Sequence, residues 1–148
     1  MREVVTSVSS ASVTIEGSVE GTIEKGYLIL LGVGPNDTET VCDKLAEKVC
    51  NLRVFEDENG KMNLNLEQVG GSMLVISQFT LYADTSSRRP GFSKAGKPDI
   101  AVPLYERFMA QCRARGFRVE HGQFGADMKV ASVNDGPVTI LYDTEGNL

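Results

Sequence analysis

Met73-Leu74-Val75-Ile76-Ser77-Gln78-Phe79-Thr80-Leu81-Tyr82-Ala83-Asp84 begins as an apolar strand and turns polar at Ser77 without a break. The β-branched and aromatic content continues past that point, so the stretch is read as strand throughout. A continuous apolar run implies burial on both faces, and polar groups that follow it must be paired, solvated or used. Strand alternation puts Ser77, Phe79 and Leu81 on one face and Gln78, Thr80 and Tyr82 on the other. Two readings stand: a strand leaving the core with its hydroxyls bonded to backbone, or a site at the mouth of a sheet.

Upstream, residues 2–16 alternate like a strand, with Val4, Thr6 and Val8 as one set and Ala11, Val13 and Ile15 as a second. Glu16-Gly17 is a turn into a returning strand, Val19 to Ile23. Tyr27 to Val33 is the most apolar run and predicts a central strand. Asp37 and Thr38 are helix caps. Val41, Leu45, Val49 and Leu52 then follow at helical spacing, predicting an amphipathic helix of about 14 residues. Glu56 to Gly60 is an acidic turn.

Downstream, residues 85–98 are polar, basic and rich in Gly and Pro. A loop of that length is usually functional or mobile. Asp99 is the expected cap of a second helix with Pro103 in its first turn, an apolar stripe of Leu104, Tyr105, Phe108 and Cys112, and Gly116 at its stop. Phe117 to Val119 reads as a short strand. Asn134-Asp135-Gly136-Pro137 is turn chemistry between two strands, Met128 to Val133 and Val138 to Tyr142. Strands dominate and two helices serve them, so the expected fold is α+β: a curved, barrel-like mixed sheet with two flanking helices, in a single domain spanning residues 1–148.

The chain has 148 residues, enough for one core. No apolar run approaches the roughly 20 residues that span a bilayer, and the N-terminus carries no signal-peptide pattern, so the expected location is cytoplasmic with no membrane partner. Cys42, Cys50 and Cys112 are odd in number and lack C-x-x-C spacing, which points to reduced thiols. No metal-ligand constellation stands out, and no cofactor is expected. His121 is the single histidine, so a Ser-His-Asp or Cys-His arrangement would have to use it. Net charge is −5, yet residues 85–118 hold eight of the fifteen basic residues against Asp99 and Glu106, a net +6 on a remainder of −11. Such a segment is a phosphate-contacting face or a solvated helix surface.

Gly136-Pro137 has two further properties. Pro137 has no N–H for a ladder, and an X-Pro bond can be cis. A cis bond would aim two carbonyls in nearly one direction, able to accept from an ammonium group.

Ser77-Gln78-Phe79-Thr80-Leu81 together with Asn134-Asp135-Gly136-Pro137-Val138-Thr139 resembles the paired signatures of the D-aminoacyl-tRNA deacylases. Met1-Arg2-x-Val4-Val5, Ser10-Ala11-Ser12-Val13, Asn51-Leu52-Arg53-Val54-Phe55 and Gly122 to Met128 extend the likeness from end to end. The resemblance implies hydrolysis of the ester between a D-amino acid and the 3′-terminal adenosine of tRNA, with removal of mischarged glycine. It implies a homodimer with the active site at the subunit interface. Gly136 and Pro137 would enter the partner's pocket, hold the α-amino group through their carbonyls and exclude an L side chain. Ser77, Gln78, Phe79 and Thr80 would form the catalytic segment, with backbone N–H groups as an oxyanion site. The tRNA 2′-hydroxyl would help activate water, leaving Thr80 as a positioning residue; the alternative makes Thr80 a nucleophile, which needs a base. His121 is then a surface or structural residue, and Met128 packs beside the pocket.

The basic loop offers Arg88, Arg89, Lys94 and Lys97 to the phosphates of the CCA end and Phe92 for stacking, with Phe79 a second stacking candidate. At Thr6-Ser7 the family usually has Gln-Arg, an arginine that helps to fix the Gly-Pro motif; Arg2 is the candidate substitute. The rival functions are an RNA-binding module without turnover and an esterase that uses Thr80 on another acyl group.

Overall fold

In the computed structural model, which describes residues 1–148, the chain runs β1 (Arg2–Ile15), β2 (Ser18–Ile23), β3 (Gly26–Gly32), α1 (Glu39–Cys50), β4 (Phe55–Glu56), β5 (Met62–Leu64), β6 (Ser72–Ser77), a 3₁₀ turn (Phe79–Tyr82), α2 (Pro98–Ala114), β7 (Val119–His121) and β8 (Lys129–Asp143). The main sheet has the order β2-β1-β3-β6-β7, with β8 pairing the free edge of β1. The β1 pairings to β2, β3 and β8 are antiparallel; β3–β6 and β6–β7 are parallel. The parallel pairs arise because α1 and α2 lie in the two crossover connections, which parallel strands require. The result is a single domain with a nearly closed, barrel-like mixed sheet and two helices, as expected.

Tyr27, Leu28, Ile29 and Leu31, with Met73 to Ile76, are buried, and Leu30 is half-buried, because each strand has a core on either side. Tyr27, Ile29, Met73 and Val75 face the larger core, which α1 and α2 close with Leu45, Val49, Leu104, Phe108 and Cys112. Leu28, Leu74 and Ile76 face a smaller core inside the curl of the sheet, completed by Val8, Ala11, Val13, Ile15 and Ile23.

The larger side of β1 is set by Glu3, Val5 and Ser7, not by Val4 and Thr6. Ser7 and Val8 are buried in succession, and the β1–β8 register shifts on both sides of Val8. The strand bends there, so Val8 joins the second set, Ala11, Val13 and Ile15, in the smaller core.

Helix α1 has 12 residues, shorter than expected. Thr38 is its cap, accepting from the Val41 N–H at 3.3 Å. Asp37 instead accepts from the Met1 ammonium at 2.8 Å and from the Gly34 N–H at 2.6 Å. Helix α2 starts at Pro98 with Lys97 as its cap residue, so Asp99 lies in the first turn and Pro103 beyond it, inside the helix. Proline is favoured at that first position, where no N–H is needed. Strand β7 begins at Val119 instead of Phe117, since its ladder to β6 starts at Met73↔Val119.

The largest departure concerns residues 134–137. They form no hairpin: β8 pairs with β1 on both sides of them, through Val8↔Asn134 and Thr6↔Thr139. Ser7 on β1 faces Asp135 to Val138 on β8, so the segment is a bulge within one long strand.

Candidate active site

Strand β6 carries Ser77 to its tip, and the chain then coils. The Gln78 N–H closes the ladder on the Leu31 carbonyl at 2.7 Å, and Phe79 to Tyr82 make a 3₁₀ turn in place of the expected strand. The cause lies next door. An ideal Cβ on Gly32 would sit 3.0 Å from the Gln78 oxygen and 3.1 Å from Leu81 Cβ, so glycine lets the turn fold back over the end of β3. Arg2 braces it from below, donating to the Leu81 carbonyl at 2.9 Å and lying 4.5 Å from the Tyr82 ring centroid.

Within the turn the Gln78 amide donates to Thr80 Oγ1 at 2.6 Å. No carboxylate or imidazole bonds that hydroxyl. His121 stands opposite Val75 on β7, its Nδ1 2.5 Å from the Gly122 carbonyl. The Phe79 and Thr80 N–H groups open the turn and donate to no protein acceptor. The side chains of Phe79 and Thr80 are exposed. The arrangement therefore offers two free amide donors and a fixed hydroxyl, with no base beside it.

The loop after Asp84 folds back on the turn. Asp84 and Gly91 exchange backbone hydrogen bonds at 2.7 and 2.9 Å, which sets Phe92 edge-on to Phe79 with centroids 5.1 Å apart. The two stacking candidates thus form one exposed aromatic ledge. Lys94 lies 3.8 Å from Asp84, whose acidity is enhanced chiefly by the Ser86 backbone N–H. Arg88, Arg89 and Lys97 are exposed and form no ion pair.

Gly136 and Pro137 sit elsewhere. Their peptide bond is cis, and Gly136 has φ +147°. An ideal Cβ there would lie 2.9 Å from both Val138 N and Val138 Cγ2, which only glycine avoids. Ser7 Oγ donates to the Asp135 carbonyl at 2.6 Å, and the Asn134 side chain bonds Thr139 Oγ1 and the Val138 N–H. Ser77 is level with Leu31 and Glu3, while the bulge is level with Ser7 and Tyr27. Four residues along and three strands across amount to roughly 13 and 14 Å at ordinary strand spacings. The fold does not bring the two motifs together within one chain.

Arg2 is no substitute for an arginine at position 7. It reaches Asp143 at 3.2 Å as well as Leu81 and Tyr82, and none of the bulge. The clasp on the bulge is Ser7 and Asn134. Ser7 had a signal, a polar residue at the inward parity of Glu3 and Val5. Asn134 had one as well, since Asn side chains bond the backbone of the turns they begin.

A sequence profile described as D-Tyr-tRNA(Tyr) deacylase matches residues 4–143. The chain belongs to this family. It is accordingly an enzyme, an ester hydrolase of the deacylase class. A D-aminoacyl-tRNA deacylase of Shewanella baltica (strain OS185) is 63% identical over 133 residues, covering 89% of this chain and 92% of the relative. Its counterpart in Koribacter versatilis (strain Ellin345) is 56% identical over 146 residues, 98% of each chain. Among solved structures, one described as c-Myc DNA Unwinding Element Binding Protein superposes with TM-score 0.90 at 37% identity, over 97% of this chain and 98% of that one. A probable eukaryotic D-amino acid tRNA deacylase superposes at 0.84 with 16% identity, over 95% and 97%, a likeness of fold.

Proposed function

We propose that the chain removes D-amino acids, and mischarged glycine, from the 3′-terminal adenosine of tRNA by ester hydrolysis, an editing reaction acting in the cytoplasm. Membership of the family, with relatives named D-aminoacyl-tRNA deacylase, supports the substrate. The observation that carries the mechanism is the turn at Phe79–Tyr82: free amides at Phe79 and Thr80 and no base at Thr80.

Water attacks the ester carbonyl, the carbonyl oxygen gains charge, and the two amides donate to it. Loss of a single such donor costs about 3–4 kcal/mol where the site excludes water. Collapse breaks the bond to the ribose 3′-oxygen, which takes up the proton given up by the water, and frees the amino acid. The adenosine 2′-hydroxyl, next to the reacting ester, helps to activate the water, so the protein need not supply a base. Thr80 accepts from Gln78 and positions the segment.

Gly136 and Pro137 act on a second copy of the chain. Their separation from Ser77 to Thr80 within one chain supports this, as does the exposed apolar set Val130, Val133 and Leu141 on β8. In the homodimer their carbonyls receive the substrate ammonium and leave no room for an L side chain. Arg88, Arg89, Lys94 and Lys97 meet phosphates of the CCA end, and the Phe79–Phe92 ledge stacks a base.

A nucleic-acid-binding role without turnover is the second reading, favoured by the 37% identical structure whose description names a DNA element. Release of D-tyrosine from D-tyrosyl-tRNA separates the readings. Expected is release by wild type that falls by no more than about tenfold in Thr80→Ala, the size of a lost positioning bond. No release by wild type would favour the binding role. Total loss in Thr80→Ala, with acyl-enzyme trapped on the wild-type threonine, would make Thr80 the nucleophile.

A further inference from the structure

The bulge Asp135–Val138 has little behind it. A cleft of about 370 Å³ lies against it, lined by Ser7, Val8, Lys25, Phe55, Glu56, Met62 and the bulge itself. Asn134 to Pro137 are exposed in the single chain, so packing within their own chain does not fix their position. Hydrogen bonds must. The Asn134 side chain closes the bulge onto its own strand, through Thr139 Oγ1 at 3.1 Å and the Val138 N–H at 3.2 Å. Those bonds fix its internal shape and not its direction relative to the sheet. The side-chain bond from the sheet is Ser7 Oγ to the Asp135 carbonyl, 2.6 Å, from a residue only 4% exposed. It grips the residue immediately before Gly136.

We propose that Ser7 is a positioning residue: its hydroxyl sets the direction in which Gly136 and Pro137 project, and through it the discrimination between D- and L-aminoacyl esters. The inference rests on the reading that the bulge excludes L side chains. The physical reason is geometric. A carbonyl pair that must accept from an ammonium and exclude a methylene on the opposite face has to be held to within about 0.5 Å, and a peptide flanked by exposed residues does not hold that tolerance alone. A neutral hydrogen bond of this kind shifts a local equilibrium about two- to tenfold. Ser7 touches no reacting atom; it acts through Asp135.

The test compares wild type, Ser7→Ala, Ser7→Thr and Pro137→Ala. Two quantities are read: the ratio of kcat/KM for D-tyrosyl-tRNA over L-tyrosyl-tRNA, and amide hydrogen exchange of residues 134–139. Ser7→Ala is expected to lower the ratio about two- to tenfold, chiefly by admitting the L ester, and to speed exchange in that segment alone. Ser7→Thr keeps the hydroxyl, has the cleft for its methyl, and should restore both. Wild-type exchange or a wild-type ratio in Ser7→Ala overturns the proposal, and so does Ser7→Thr behaving like Ser7→Ala. If Pro137→Ala changes the ratio while Ser7→Ala does not, the bulge reading stands and the Ser7 assignment falls. If neither changes it, chirality is read elsewhere and both fall.

Discussion

Glu3 is buried to 1% exposure, and neither carboxylate oxygen has a partner. Burial drives its pKa well above the ordinary value, the Cys50 sulfur adds to the rise, and the Met1 ammonium opposes it. The folded state thus holds a proton that the unfolded chain releases near the usual pKa of about 4.3. Where the folded state binds more protons, stability falls as pH rises. Glu3 therefore costs stability above that pH, increasingly until its folded pKa is passed. Glu3→Met, similar in volume and without the polar atoms, should raise unfolding free energy at pH 7 by about 1–3 kcal/mol. It should also flatten the fall in stability as pH rises above about 4.3, as read from urea midpoints. A stability unchanged at pH 7 would show that the carboxyl is solvated.

At the scale of elements, the loop 85–97 carries charge without ion pairs at Arg88, Arg89 and Lys97, beside an aromatic ledge. On the proposed reading, replacing Arg88 and Arg89 with alanine weakens tRNA binding at every sequence. It should lessen the slope of log affinity against log salt by about 1.4, at roughly 0.7 per phosphate on a single strand. An unchanged slope, measured by filter binding, would remove those arginines from the interface. The elements themselves were largely legible. Apolar runs found β3 and β6, Thr38 marked α1, and the glycine-proline segment was a loop. What escaped was tertiary. The coil at Phe79 is imposed by the closeness of Gly32, and nothing in the Phe79-Thr80-Leu81-Tyr82 residues themselves disfavours a strand. Asn134 to Pro137 have the composition of a hairpin turn, and only the ladder to β1 on both sides makes them a bulge. Both halves of the candidate site could be named from sequence; their distance from one another could not, because it follows from the order β8-β1-β3-β6.

For the molecule as a whole, β8 leaves an outer edge and an apolar set in solvent, with Leu141 at 61% exposure. If this face joins two copies, Leu141→Lys should convert the dimer to monomer in sedimentation. Far-UV circular dichroism should stay unchanged, and deacylation should be lost because Gly136 and Pro137 no longer have a partner pocket. A monomeric variant with full activity would return the whole site to one chain.

The pairing of β1 with β8 also governs when the protein can exist at all. Ser7 and Asp135 are separated by 128 positions in the chain, and β1 offers one of its edges to no other strand. Contacts of such long range make folding slow, because the chain must close a large loop before the ladder rewards it. Through synthesis that edge of β1 stands open, a template for pairing with any extended segment nearby. The last strand thus covers the edge of β1 and moves the open edge to β8 itself, the strand that carries the exposed Val133 and Leu141.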